Sequence, residues 1–142
     1  MPPTGFVSNT PIRVRYAETD QMGIAHHTAY IVWFEAGRSD WMRQQGYSYA
    51  DFEKAGYMLP LSEVTARFAL PALYDEEVVV QTWVSELRSR KLQFSYQVVR
   101  PPDNTLLVTG FTTHIVTDKA GRVTTFPPEV RQLLEHAAGV SS

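Results

Sequence analysis

The stretch YAETDQMGIAHHTAYIVWFEAGRSDW, residues 16–41, joins a loop rich in ionisable side chains to a long apolar pattern. Just before it, apolar and polar side chains alternate over residues 12–16, which predicts a short half-buried strand. Residues 29–45 contain no proline, and bulky apolar residues recur there three and four positions apart. This spacing predicts one long helix with Thr28 as its N-cap.

The loop within this stretch brings acidic and imidazole side chains to the predicted start of the helix. Asp20 lies in the connection, and His26 and His27 stand beside the helix N-terminus. The first amides of a helix have no intrahelical partner and lie at the positive end of its dipole, where they stabilise negative charge. A carboxylate next to such amides is an arrangement suited to acyl transfer.

Length and composition limit the class of protein. A chain of 142 residues is most simply one domain, residues 1–142, that buries roughly two thirds of its unfolded surface. The net charge of −2 gives no reason to expect nucleic acid or an anionic membrane as partner. The absence of cysteine excludes disulfides, thiolate metal ligands and a cysteine nucleophile. With no leader and no apolar run long enough to span a bilayer, we expect a cytoplasmic protein whose residues 1–9 and 139–142 are flexible.

Downstream of the helix, the sequence changes to strand patterns separated by turns. Helical turns are predicted at residues 49–55, strands at 59–70, 76–87, 91–100, 106–117 and 122–125, and a C-terminal helix from 127 to about 138. A strand, a long helix and then consecutive strands predict an α+β fold with a mainly antiparallel sheet. Gly37 within the helix predicts a close approach of helix and sheet, because glycine otherwise costs about 1 kcal/mol against alanine there.

The loop and the helix also carry a distinctive set of residues, namely Tyr16 four positions before Asp20, then Gly23, His27, Tyr30, the run WFEAGR at 33–38, and Trp41. With this set the chain resembles the hot-dog-fold acyl-CoA thioesterases of the 4-hydroxybenzoyl-CoA thioesterase type. The resemblance extends from residue 10 to about residue 134 in element order, and residues 16–41 match in motif. It implies a hot-dog fold, in which a curved, mainly antiparallel sheet of five to six strands wraps the long central helix.

The resemblance implies roles for individual residues. Asp20 matches the catalytic carboxylate of that family, the helix amide near His27 matches the group that polarises the thioester carbonyl, and Tyr16 and His27 match residues that assist or position. The implied substrate is an acyl-CoA, so coenzyme A enters as part of the substrate and no separate cofactor is expected. The family forms homo-oligomers with sites between subunits, and we expect a dimer or tetramer. The chain departs from many relatives at His26 and Ala29, where tyrosine and asparagine are common.

The residue types suit this chemistry without the resemblance. A carboxylate such as Asp20 can attack a thioester carbonyl or deliver a water to it, and the sequence does not decide between these routes. One good oxyanion donor contributes about 3 kcal/mol to such a reaction. Tyr16 fits a core aromatic at a strand end as well as a hydroxyl directed at the site. A hot-dog hydratase or dehydratase and a non-catalytic acyl-CoA-binding module fit the same residues.

Other polar residues have simpler interpretations. Neighbouring helix positions diverge by about 100°, so His26 and His27 do not converge on one ion and no metal site is predicted. His114 lies in an alternating strand and is predicted to be a hydrogen-bonded core or interface residue. Glu35 is predicted to pair with Arg38, three residues further along the helix.

The dense basic cluster of the chain is RSRK, residues 88–91, between two predicted strands. Such a short cluster is usually a solvated turn. Coenzyme A carries several phosphates, however, and the resemblance places nucleotide contacts near this turn, with Arg90 and Lys91 as the candidates. Three charges do not support nucleic-acid binding.

Overall fold

One long helix lies across a face of a five-stranded antiparallel sheet. The computed structural model describes residues 3–139. Its elements are β1 (Ser8–Arg13), a 3₁₀ turn (Tyr16–Glu18), α1 (His27–Gln44), α2 (Tyr49–Lys54), β2 (Tyr57–Met58), β3 (Leu61–Phe68), β4 (Glu77–Leu87), β5 (Lys91–Arg100), β6 (Thr105–Ile115), β7 (Thr117–Asp118) and α3 (Pro128–Ala138). The strand order of the sheet is β1-β4-β5-β6-β3, and β2 pairs separately with β7. The predicted α+β class with a mainly antiparallel sheet is confirmed.

Bulky side chains of α1 fill the space between the helix and the sheet. Trp33 and Phe34 are at most 2% exposed, and Phe34 stacks on Tyr96 of β5 with ring centroids 4.3 Å apart. A Cβ atom on Gly37 would collide with the Thr82 hydroxyl of β4. The predicted close approach at Gly37 is therefore confirmed, and the burial of the large side chains around it offsets the conformational cost of the glycine.

β3 forms an open edge of the sheet. It pairs with β6 on one side only, and all but one of its residues are exposed. Its apolar side chains Leu61, Val64 and Phe68 are 38–45% exposed. This edge presents unpaired backbone groups beside apolar side chains, a combination that favours pairing with another strand.

The chain leaves the sheet earlier than the sequence predicted. After β1, the Val14 N–H donates to the Glu76 carbonyl (2.9 Å), and the Val14 carbonyl accepts from the Asp75 N–H (3.0 Å). These bonds tie Val14 to the segment before β4, but β1 ends at Arg13 and the 3₁₀ turn begins at Tyr16, so the prediction of a strand through residue 16 was wrong. Tyr16 begins a 3₁₀ turn and is 78% exposed, which rules out the core interpretation of this residue.

α1 begins two residues before the predicted position. Its N-cap is His26 rather than Thr28, and the His26 side chain makes no capping hydrogen bond. Instead, the His26 N–H donates to the carbonyl of Glu18 at 2.8 Å. A backbone bond between distant segments thus fixes the turn that the Thr28 hydroxyl was predicted to cap.

The short strand predicted at residues 122–125 is also absent as a regular element. Only an isolated bridge joins Thr117 and Val123. The Asp118 carboxylate accepts hydrogen bonds from the amides of Ala120 and Arg122, at 2.9 and 3.0 Å. This local turn uses the backbone donors that a strand would have offered to a neighbour.

The segment before β1 is anchored on α3. The Thr4 hydroxyl donates to the Ala138 carbonyl (3.1 Å), the Phe6 N–H donates to the Ala137 carbonyl (2.8 Å), and the Trp41 indole donates to the Phe6 carbonyl (3.0 Å). The flexibility of residues 1–9 and 139–142 stays a prediction, and residues 1–2 and 140–142 lie outside the described range. Within residues 3–139, no helix is long and apolar enough to cross a membrane.

His114 on β6 has the predicted identity of a hydrogen-bonded core residue. It is 1% exposed, its Nδ1 lies 3.2 Å from the Leu59 carbonyl, and its Nε2 lies 2.9 Å from the Thr112 hydroxyl. Burial, together with the nearby positive charge of Arg38, lowers the pKa of His114 to about 4.

We expect the free energy of unfolding to decrease as the pH falls from 6.5 to about 4. In this range the unfolded chain binds a proton at His114 that the folded protein excludes, which costs up to about 3 kcal/mol of stability. Urea unfolding at a series of pH values measures this loss. The His114→Gln variant does not titrate at this position and should show a flatter pH dependence; an unchanged dependence would contradict the assignment.

Candidate active site

The loop that carries Asp20 is closed by its own hydrogen bonds. The Asp20 N–H donates to the Ile24 carbonyl and the Gly23 N–H to the Asp20 carbonyl, both at 3.0 Å. Gly23 has φ +76°, a backbone conformation that glycine adopts without strain. Oδ1 of Asp20 accepts from the amides of Met22 (2.8 Å) and Ile24 (3.2 Å). Oδ2 has no hydrogen-bond partner within the described residues, so one oxygen of this half-buried carboxylate is available to a substrate.

Asp20 shares a surface cavity of about 430 Å³ with Tyr16 and His26. The Tyr16 ring stands edge-on to Tyr74, with centroids 5.7 Å apart. The structure therefore brings together two of the three predicted catalytic residues, Asp20 and Tyr16. It adds His26, a position at which the chain differs from many relatives and which was not among the predicted site residues.

The N-terminus of α1 leaves two backbone amides unpaired within the described residues. The amide of Ala29 is paired with the His26 carbonyl at 3.0 Å. The amides of His27 and Thr28 have no acceptor within the described part of the chain, and no side chain caps this end of the helix. Two unpaired N–H groups at the positive end of an 18-residue helix form a site for a developing negative charge.

The His27 imidazole does not line the Asp20 cavity. It packs on Phe68 of β3 with ring centroids 4.9 Å apart, and it lines a separate cavity of about 180 Å³ together with Tyr30. His26 and His27 thus face different spaces. Among residues 3–139, no three histidine, aspartate or glutamate side chains are grouped so that they could hold a metal ion.

Two aromatic side chains of α1 position the segments around the site. The Trp33 indole donates to the Glu18 carboxylate at 2.8 Å. Although burial alone would raise it, hydrogen bonds from the Arg15 backbone and from Trp33 hold the pKa of Glu18 below its usual value. The Tyr30 hydroxyl accepts from the Ala72 N–H at 3.0 Å. The sequence placed Trp33 and Tyr30 on the apolar face of the helix and in the family motif without a polar partner. The expectation that a buried indole or phenol finds such a partner would have indicated these roles.

Arg90 and Lys91 lie at the opposite end of the sheet from Asp20. They stand at the turn between β4 and β5, next to the register pair Leu87–Leu92, whereas the Gly23 carbonyl of the Asp20 loop accepts from Tyr74, just before β4. The 11 residues of β4 separate these ends by about 35 Å. Within one subunit the basic turn is therefore remote from Asp20. A contact from a neighbouring subunit stays a prediction.

The predicted ion pair between Glu35 and Arg38 was wrong. No carboxylate of the described residues lies within 4.0 Å of the Arg38 guanidinium. Glu35 is exposed, and both side chains line a cavity between α1 and α2. Helical spacing places two residues on one face, but their rotamers decide whether the charged ends meet.

Comparison with known proteins agrees with this geometry. Residues 14–134 match the model of the thioesterase-like superfamily. YneP of Bacillus subtilis strain 168, a provisionally named acyl-CoA thioesterase, is 38% identical over 113 residues, which cover 80% of this chain and 81% of YneP. The acyl-CoA thioesterase YbgC of Haemophilus influenzae is 26% identical over 129 residues, 89% of this chain and 93% of YbgC.

Solved structures show the same similarity. The protein TT1821 of Thermus thermophilus superposes with a TM-score of 0.87 at 40% identity, covering 92% of this chain and 98% of TT1821. The DHNA-CoA thioesterase of Staphylococcus aureus superposes with a TM-score of 0.84 at 31% identity, covering 89% of this chain and 87% of that enzyme. The resemblance seen in the sequence is thus confirmed, and the chain belongs to the thioesterase-like superfamily, the hot-dog-fold enzymes that hydrolyse thioesters.

Proposed function

We propose that this enzyme hydrolyses an acyl-CoA to a free carboxylic acid and coenzyme A at the Asp20 loop. One observation carries the proposal: a half-buried carboxylate with an unpaired oxygen lies in the loop that leads into a helix N-terminus with two unpaired amides. The substrate class comes from the names of two relatives: YbgC is named an acyl-CoA thioesterase, and YneP carries that name provisionally.

Asp20 can promote hydrolysis of the thioester by either of two mechanisms. As a general base, Asp20 takes a proton from a water while the water oxygen bonds to the thioester carbon; the C–S bond then breaks, and the sulfur takes that proton. As a nucleophile, Asp20 bonds to the acyl carbon and releases the thiolate, and water then hydrolyses the resulting anhydride. In both routes the carbonyl oxygen becomes an oxyanion, for which the amides of His27 and Thr28 are the proposed donors.

In this proposal His27 acts through its backbone amide, because its imidazole packs on Phe68. Tyr16 and His26 are the side chains that line the Asp20 cavity and are available to position the substrate. The absence of a resident cofactor, the phosphate contacts of Arg90 and Lys91, and a cytoplasmic location stay predictions.

A thiol-release assay over aromatic, short-chain and branched acyl-CoAs tests the activity. Steady release of coenzyme A with at least one member of the panel supports hydrolysis. His26 lines the same cavity as Asp20, and the two side chains could also act as the acid and base of a hydratase. The absorbance of an enoyl bond is therefore followed in parallel. A change in that absorbance without thiol release would replace the proposal with a hydratase, and saturable binding without turnover would replace it with a binding module.

We also propose that the enzyme is a homo-oligomer formed through the edge of β3. The exposed Val64 and Phe68 of this unpaired strand support the proposal, since a second copy of the strand would cover them and pair the backbone. Sedimentation velocity should give twice or four times the chain mass, and Val64→Lys should lower it. A monomeric wild-type protein would contradict the proposal.

A further inference from the structure

A second cavity, of about 340 Å³, lies between α1, α2 and the segment that leads into β3. It is outside the Asp20 loop, and none of the residues so far placed in the reaction lines it. Its polar lining includes Arg38 and Ser39 of α1 and Tyr49 of α2, and its apolar lining includes Phe52 and Leu59. A cavity of this size and mixed lining is suited to a small organic ligand.

Arg38 is a cation without a counter-ion in this cavity. Its Nη1 nitrogen is enclosed and has no hydrogen-bond partner among residues 3–139. The exposed carboxylates Glu35 and Glu53 also line the cavity, but neither comes within ion-pair distance of Arg38 in the described structure. An enclosed charge that is left unpaired is costly, and a carboxylate that reaches the guanidinium from the cavity recovers part of that cost.

Tyr49 adds a second unsatisfied donor. Within the described residues its hydroxyl oxygen is enclosed and makes no hydrogen bond of good geometry, and its polar neighbour is the Arg38 guanidinium. Burial raises the pKa of Tyr49, so the phenol keeps its proton at neutral pH and can donate. An arginine fork next to a neutral hydroxyl is a donor set that matches the two oxygens of a carboxylate.

The same face of α1 connects this cavity to the helix N-terminus. His27, Ile31 and Arg38 lie on that face, because they are separated by four and seven residues. His27 packs on Phe68 at the end of β3, whereas the cavity around Arg38 reaches Leu59, just before the start of β3. The face therefore runs along β3, and His27 and Arg38 are about 16 Å apart along the helix axis.

We propose that the cavity binds a carboxylate at the far end of the acyl group, so that the preferred substrates are thioesters of dicarboxylic acids. Arg38 and Tyr49 are the specificity-determining residues, and the half-exposed Ile31 lies between them and the helix amides. The substrate assignment rests on the proposed thioesterase function. Recognition of the carboxylate by the cavity does not depend on turnover.

The test compares acyl-CoAs in pairs that differ only in a terminal carboxylate: hexanoyl with adipoyl, octanoyl with suberoyl, and decanoyl with sebacoyl. The ratio of kcat/KM within each pair is the readout. At the best-fitting length we expect kcat/KM to be about 10- to 100-fold higher for the carboxylated member. This ratio corresponds to the usual free-energy contribution of a hydrogen bond to a charged group. Arg38→Gln should abolish this ratio, and Tyr49→Phe should reduce it.

Arg43→Gln is the matched control, because it removes the same charge from an exposed position of α1. A ratio near one at every length in the wild type, or a ratio that survives in Tyr49→Phe and in a folded Arg38→Gln, would overturn the proposal. Calorimetry measures the binding of both acyl-CoAs of each pair to the Asp20→Asn variant. This measurement separates the proposed carboxylate site from the proposed thioesterase function. Preferential binding of the carboxylated member without wild-type hydrolysis would retain this site and reject the thioesterase function.

Discussion

Asp20→Asn should fold like the wild type and release thiol from acyl-CoA about 10²- to 10⁴-fold more slowly, the usual contribution of a positioned base or nucleophile. The amide oxygen can still accept from the Met22 and Ile24 N–H groups, which hold the loop closed. The amide nitrogen that replaces Oδ2 can neither take a proton from water nor attack the thioester carbon. A thiol-release assay at saturating substrate, with thermal unfolding of both proteins, measures the two properties separately.

Asp118 provides a matched control for this substitution. Its Oδ1 accepts from the amides two and four residues later, as Asp20 does, but Asp118 is the last residue of β7 and lies outside the loop that leads into α1. Asp118→Asn should therefore leave thiol release unchanged. Near wild-type turnover in Asp20→Asn would show that Asp20 only closes its loop, as Asp118 does, and would refute the proposed mechanism.

The sequence predicted those elements whose signal is local. β5 begins and ends at the predicted residues, because its alternating side chains report one buried face. α3 was predicted from the two prolines at its start, Pro127 and Pro128, and ends at the predicted residue. Gly37 indicated the close helix-to-sheet contact because glycine destabilises the middle of a helix unless a close approach requires it.

Two of the predictions that failed depend on contacts that no local residue pattern encodes. The start of α1 is set by a backbone bond from His26 to Glu18, which no residue pattern near Thr28 encodes. This two-residue shift matters for the site, because it decides which of the two histidines faces the Asp20 cavity. The unpaired state of Arg38 is likewise invisible in sequence, since the spacing to Glu35 suggests a partner.

His27→Pro should turn over acyl-CoA about 10²- to 10³-fold more slowly than His27→Ala, the typical effect of losing one oxyanion donor. His27 is the first residue of α1, where the proline ring fits the helix and removes only an amide that has no intrahelical acceptor. The residue before it, His26, already has the extended conformation that proline requires of its neighbour, with φ −63° and ψ 150°. The substitution is therefore expected to leave α1 intact.

The alanine variant is the necessary control, because both substitutions remove the imidazole and its contact with Phe68 while only proline removes the N–H. Dividing the kcat of His27→Ala by that of His27→Pro isolates the contribution of the amide, provided that the two variants unfold at similar temperatures. Equal kcat values would exclude the His27 amide as an oxyanion donor and leave Thr28 as the remaining unpaired amide of the helix start. A loss shared by both variants would instead place the role of this residue in its side chain, as the family resemblance originally implied.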